Sequence, residues 1–484
     1  MDGPALLEVR ELEDAAARAF LSPARWSAAP HNQLARHGYE VREYEVATRA
    51  RVFAGGAVRP PRVESELDLR TRALVVRPIG SDRFRGRVHV ELVNPSTGQD
   101  FPMYWPDLAH HLIRSGDVYV GVTCKQVTVE ALRAIAPDRY GDLSMAHDGA
   151  VFDLLGAVGG TLKAEGERLL PGLGTPEVVL ATGWSQSGSF LRTYLSEGLH
   201  ALHAAELGHD PFDAFLIGVS SGGFGPMGYI PVDRHGEMSF DEDLMPVGDP
   251  LPQLPMTDAR RVVRGSPVPV LELMSQDEAL HHVWHQRPDS DAPGDLYRCY
   301  QLPGRGHESG LLDEADRAAD HRDASVLGAR GATDTAPPRH DPSRFLLPAA
   351  VEALIGWVGR VAPPRHDPIA VLAEAGAQLD PAGLDFAHVH CLTDADGVAR
   401  GGVRHLEVDL PVARMFADED GPVTMRLWRH EPFEPEDLRR RYGSAKRLRM
   451  LAGRRAAELV ETGAYLPEDV VAAVDAFCAQ AGDF

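Results

Sequence analysis

A chain of 484 residues, 44% hydrophobic and 25% charged, has the make-up of a soluble globular enzyme with one large domain or two modest ones. Its net charge of −22 argues against nucleic acid and anionic membrane surfaces as partners. Four scattered cysteines (Cys124, Cys299, Cys391, Cys478) form no C-x-x-C and suit a reduced core better than a disulfide framework. The acidic N-terminus lacks the pattern of a secretory signal, and no apolar run approaches eighteen residues, so the expected location is the cytoplasm.

Along the chain, residues 1–37 read as a short helix (Leu12–Phe20) and a loop. Strand-like runs follow at Tyr39–Val46, Ala73–Arg77, Val88–Val93 and Val118–Val122, with helical spacing at Trp105–Ile113 between the last two. A helix over Met145–Glu165 precedes a strand at Val178–Ala181, and a helix over Gln186–His203 follows it. Strands continue at Ala214–Val219, Val268–Met274 and Tyr297–Leu302. Such alternation predicts an α/β fold, a mainly parallel sheet covered by helices on both faces. The earliest strands have no convincing helix between them and are expected to pair antiparallel at one edge.

Two stretches interrupt this order. Residues 222–255, rich in Gly, Pro, Asp and Met yet carrying apolar side chains, are expected to form a lid-like insertion. Leu311–Pro342 is charged and alanine-rich, a surface segment. The heptapeptide APPRHDP occurs at Ala336–Pro342 and Ala362–Pro368, two stiff linkers around a helix at Phe345–Val361. Residues 38–368 are thus read as the core. Residues 369–484 are read as an extension packed on it, with strand-like His388–Leu392 and His405–Val408 and helices at Ala445–Glu461 and Glu468–Ala481.

The chemistry concentrates at Gly183-Trp184-Ser185-Gln186-Ser187-Gly188, where an apolar strand turns sharply into a helix. A serine at the apex of a strand–turn–helix with small neighbours is a nucleophile elbow, which lifts the hydroxyl clear of the sheet. The literal G-x-S-x-G lies later, at Gly218–Gly222, but repeated Gly and Pro after Ser220 forbid the following helix. Context therefore selects Ser185 over Ser220. A serine needs a base and the base needs an acid, in the chain order serine, acid, histidine. His307 in Gly304–Gly310 is the candidate base, and the acid belongs in Met274–Leu280. There Glu278 is favoured and Asp277 is the alternative, while Glu272 should point into a sheet face. The oxyanion hole should use the backbone N–H of Gln186 and one from the loop Asn94–Gly98, assigned to Ser96 because Pro95 has none.

Other clusters read as structural. His281, His282 and His285 include an i, i+4 pair but are better suited to lining the acid loop than to binding metal. His388–Cys391 alternates as a strand, and Gly156, Gly159 and Gly160 fall in a helix that follows no strand. No metal, cofactor or nucleotide is expected, and oligomeric state is left open.

Several segments resemble the tenth group of bacterial α/β-hydrolase domain proteins: GWSQSGSFLRTYL at the elbow, PVPVLELMSQDEAL at the acid loop and RPDSDAPGDLYRCYQLPGRGH before the histidine. RVHVELVNPSTG, APDRYGDL, DADGVARGGVRH (Asp394–His405) and TGAYLPED also match, so the resemblance spans about Gly38 to Ala481. It implies an α/β-hydrolase fold and carries over Ser185, Glu278 and His307. Two departures are Gln276, where the family tends to a carboxylate, and Arg305, where it tends to a smaller residue. The expected activity is a serine hydrolase (a carboxylesterase) acting on a small-molecule ester through an acyl-enzyme. The alternatives are an acyltransferase with the same triad, or a non-catalytic ligand-binding protein of this fold.

Overall fold

The protein is described by a computed structural model covering residues 3–12, 34–54, 61–95, 100–220, 239–240, 246–247, 258–280, 287–307, 343–374, 379–380, 383–384, 388–417 and 428–484. Strands β1 (Glu8–Glu11), β2 (Tyr39–Ala54), β3 (Arg62–Pro78), β4 (Arg87–Leu92), β5 (Val118–Val122), β6 (Val178–Trp184) and β7 (Ala214–Gly218) belong to one sheet. The two-residue strands β8 (Ser239–Phe240) and β9 (Pro246–Val247) pair only with each other. Strands β10 (Val270–Ser275), β11 (Ser290–Ala292) and β12 (Asp295–Leu302) complete the large sheet, in the order β1-β2-β3-β5-β4-β6-β7-β10-β12-β11. From β5 to β12 in that order every pair is parallel, whereas β1, β2 and β3 at one edge and β11 at the other run antiparallel.

Parallel strands need crossovers, and these put helices on both faces. The strand side chains follow that division with a period of two. Val179 and Ala181 of β6 join one core layer with Phe152, Leu154 and Phe190. Leu180 and Trp184 join the other with Trp105, Leu108, Leu347 and Phe477. Each fully buried valine, leucine or phenylalanine among them contributes about 1.5–3 kcal/mol. Leu406, Leu448 and Phe477 share the second layer with Leu271 and Leu273 of β10, so residues beyond 368 cover a face of the sheet.

Strand β4 lies between β5 and β6, so the chain steps one way from β4 to β5 and the other way from β6 onward. At such a switch point the loops at the carboxyl ends part and leave a crevice. The helix Tyr104–Ser115 beside it is anchored by buried Glu91 of β4, which accepts the N–H groups of Met103 (2.9 Å) and Tyr104 (3.0 Å) and the Tyr119 hydroxyl (2.6 Å). These bonds satisfy N–H groups that the first helical turn cannot.

Some expectations need correction. The helix expected over Gln186–His203 is two, Gln186–Ser196 and Leu199–Leu207, because Gly198 at φ 78° ends the helical path. Helix Val151–Glu165 starts six residues later than expected, after a 3-10 turn at Asp148–Ala150. The stretch His405–Val408 is no strand: Leu406–Asp409 forms a short helix whose Leu406 and Val408 are buried. Alternating apolar residues over four positions suit a single helical turn as well as a strand. A helix at Gln126–Ile135 escaped the sequence reading, as did the full length of the β2–β3 hairpin. The helix expected at Leu12–Phe20 lies, beyond its first residue, outside the described residues, as does the lid-like 222–255 apart from β8 and β9.

Candidate active site

Ser185 sits between β6 and the Gln186–Ser196 helix with φ 55° and ψ −119°, a conformation rare for any residue but glycine. The neighbours explain how the turn holds. A Cβ on Gly183 would stand 2.7 Å from the Ser187 carbonyl oxygen, and one on Gly188 would stand 2.7 Å from Ser220 Cβ. Ser187, at the position where the usual motif has its last glycine, is completely buried. Its hydroxyl accepts from Trp184 N (2.9 Å) and donates to the Trp184 carbonyl (3.0 Å), lacing the turn from inside. Ser185 N donates to the Gly218 carbonyl at 2.9 Å, which binds the apex to β7.

His307 follows β12 and is nine-tenths buried. Its Nε2 is 2.8 Å from Ser185 Oγ and its Nδ1 is 3.1 Å from Glu278 Oε1. Glu278 is buried at the start of a 3-10 turn, Glu278–Leu280, after β10. Its other oxygen, Oε2, accepts from Ser275 N (3.0 Å) and Ser275 Oγ (3.1 Å), while Glu278 N faces Ser275 Oγ at 3.3 Å. This reciprocal Ser-x-x-Glu arrangement is a capping box, and it orients one carboxylate oxygen so that the other meets the imidazole. A serine hydroxyl, an imidazole and a carboxylate thus stand in one hydrogen-bonded series. That arrangement can deprotonate the hydroxyl as it attacks an electrophilic carbon.

The remaining site candidates fall as follows. Asp277 is also buried, and the Cys391 thiol is pushed up to about 12 by burial first and by the Asp277 charge second. Gln186 begins the helix directly after Ser185, so its N–H belongs to the helix end that opens beside the serine. Ser96 lies outside the described residues, as do His281, His282 and His285. Before Ser96, Asn94 Nδ2 donates to the Trp184 carbonyl at 2.8 Å, tying the loop after β4 to the elbow. Ser220 is buried with its hydroxyl 3.0 Å from that of Ser189. Glu272 points into the sheet's side layer and is bonded by Arg192 and the Tyr297 hydroxyl (2.5 Å). Among the described residues no three His, Cys, Asp or Glu side chains gather as a metal site.

Both departures from the family pattern are structural ties. Gln276 Oε1 accepts from Gly304 N at 2.8 Å, and Gln276 N donates to the Arg305 carbonyl at 2.9 Å, joining the acid and histidine loops. The Arg305 guanidinium pairs with buried Asp107 at 3.1 Å and lies 5.3 Å over the Trp184 ring, next to Ser185. Neither contact, nor that of Asn94, was read from the sequence. The only signal near them was Ser275-x-x-Glu278, whose capping-box spacing was legible.

An alpha/beta hydrolase domain family profile matches residues 9–475 of the chain. No functionally curated protein matches it in sequence. Among solved structures, the rice cell wall degrading esterase LipA from Xanthomonas oryzae is similar at 15% identity and a TM-score of 0.25. That match covers 45% of this chain and 51% of LipA, so this chain spans about half the esterase's length. A mutant of the esterase rPPE is similar at 15% identity and a TM-score of 0.31, over 61% of this chain and 84% of that one.

Proposed function

Because the chain belongs to the α/β-hydrolase domain family, we propose that it is a serine hydrolase that cleaves a carboxylic ester through an acyl-enzyme. The reading is carried by one observation, the series Ser185 Oγ, His307 and Glu278 joined at 2.8 and 3.1 Å. In the proposed reaction Ser185 Oγ bonds to the ester carbonyl carbon while His307 Nε2 takes the hydroxyl proton. The carbonyl π pair moves onto oxygen. The N–H of Gln186, together with an N–H of the loop after β4 for which Ser96 is the candidate, holds that oxyanion. Each such donor is worth about 3–4 kcal/mol in the transition state.

Collapse of the intermediate breaks the bond to the alkoxy oxygen, which leaves with the proton from His307 Nε2. Water then attacks the acyl carbon, giving its proton to the same nitrogen, and the acid departs as Ser185 Oγ is reprotonated. Glu278 keeps the proton on Nδ1, so that the Nε2 lone pair faces Ser185, and it stabilises the imidazolium that forms. The test is hydrolysis of short-chain p-nitrophenyl esters by wild-type protein and Ser185→Ala. Wild-type turnover that is lost in Ser185→Ala, with the melting temperature retained, is the expected result. Equal activity of the two would refute the reading.

A further inference from the structure

The Asp394–His405 stretch carries none of the proposed chemistry, yet it lies against the loop that bears His307. Two adjacent glycines bring it there. Gly401 and Gly402 have φ of 85° and 72°, and a Cβ on Gly402 would stand 2.7 Å from the Gln301 carbonyl oxygen. Val403 N donates to that same carbonyl at 2.8 Å, so the segment rests on the end of β12. Two residues on, His405 is completely buried, with Nε2 2.8 Å from the Pro303 carbonyl oxygen and Nδ1 2.9 Å from Glu407 Oε2. A carbonyl can only accept, so Nε2 carries the proton and donates it.

Pro303 and Gly304 are the central residues of the turn that leads from β12 to His307. Arg305 N closes it on the Leu302 carbonyl at 3.4 Å, and Gly304 has φ 73°. A type II turn requires a positive φ at its third residue, which glycine supplies, and commonly has proline second. What separates type II from type I is the orientation of the central peptide. Here that peptide is held at both ends: its carbonyl accepts from His405 Nε2, and its N–H donates to Gln276 Oε1 at 2.8 Å. Met415 Sδ fills the space beside Gly304, 2.6 Å from where a Cβ would stand.

We infer that His405 is a positioning residue, which with Gln276 clamps the Pro303–Gly304 peptide and so sets the turn that presents His307 to Ser185. The inference rests on the proposed role of His307 as base. It gives the C-terminal region a part in the reaction without touching substrate. Losing that hold frees the Pro303–Gly304 turn, which ends two residues before His307, and a misplacement of the imidazole by about 1 Å costs on the order of a hundredfold in rate.

The test compares His405→Gln with His405→Asn, read by steady-state ester hydrolysis and by amide hydrogen exchange of the peptide containing Gly304. A glutamine amide nitrogen reaches the place of imidazole Nε2, whereas an asparagine amide reaches only that of Nδ1. The expected result is that His405→Gln stays within about threefold of wild-type kcat while His405→Asn loses about ten- to a hundredfold, with KM little changed. Exchange of the Gly304 peptide should quicken only in His405→Asn. Indistinguishable behaviour of the two variants, or wild-type kcat and exchange in His405→Asn, would overturn the inference. If wild-type protein cleaves no ester, the functional reading fails and takes the catalytic purpose of the clamp with it, while the exchange contrast still decides whether the clamp exists.

Discussion

Glu278 has two oxygens with separate partners: Oε2 closes a capping box on Ser275, and Oε1 meets His307 Nδ1. A glutamine in its place puts an N–H donor among these partners and invites the wrong imidazole tautomer. Glu278→Gln is therefore expected to lower kcat roughly 10³- to 10⁴-fold with KM nearly unchanged. Asp277→Asn should keep most of the rate, because the carboxylate that meets His307 Nδ1 is that of Glu278. Steady-state ester hydrolysis checks both, and the opposite ranking would make Asp277 the acid. At this scale the serine, the acid loop and the histidine were legible from local pattern, namely a strand–turn–helix and two loops in the right chain order. Asn94, Gln276 and Arg305 were not, since their partners Trp184, Gly304 and Asp107 lie 90, 28 and 198 residues away and meet only once the sheet is ordered.

Among the elements, helix Ser343–Val358 is fastened to the sheet by Glu352, which binds Arg87 at the start of β4 and His111 on helix Tyr104–Ser115 at 3.0 Å each. Burial is the largest influence on this carboxyl and would raise it. The His111 hydrogen bond and the Arg87 charge outweigh burial and bring it from 4.5 down to about 2. A depressed carboxylate adds stability above its unfolded value, and that stability fades as pH falls from about 4.5 to about 2. With partial exposure allowed for, the contribution is about 2 kcal/mol. Denaturant titrations of wild type and Glu352→Gln should therefore differ at neutral pH and converge toward pH 2. A gap of constant size across that range would contradict this account. The elements themselves were mostly legible where an apolar period ran long, as in Ala445–Glu461. The misses were short or locally ambiguous. Gly198 divides a helix whose apolar spacing continues past it, and Leu406–Asp409 is too short for periodicity to tell helix from strand.

At the scale of the molecule, residues from both ends of the chain join one framework. The antiparallel β1–β3 edge and the parallel strands share a sheet, and Leu406, Leu448 and Phe477 complete a core layer with Leu271 and Leu273. The family match covers residues 9–475, which include these elements. Among the described residues no helix is long and apolar enough to cross a membrane. The proposed role of this assembly is to activate one hydroxyl, that of Ser185. A fluorophosphonate probe reacts only with a serine served by a working base and oxyanion hole, so its adduct, located by peptide mass spectrometry, tests that claim most directly. The account predicts a single adduct on Ser185 that disappears in His307→Ala. No adduct, or one on Ser220, would contradict it.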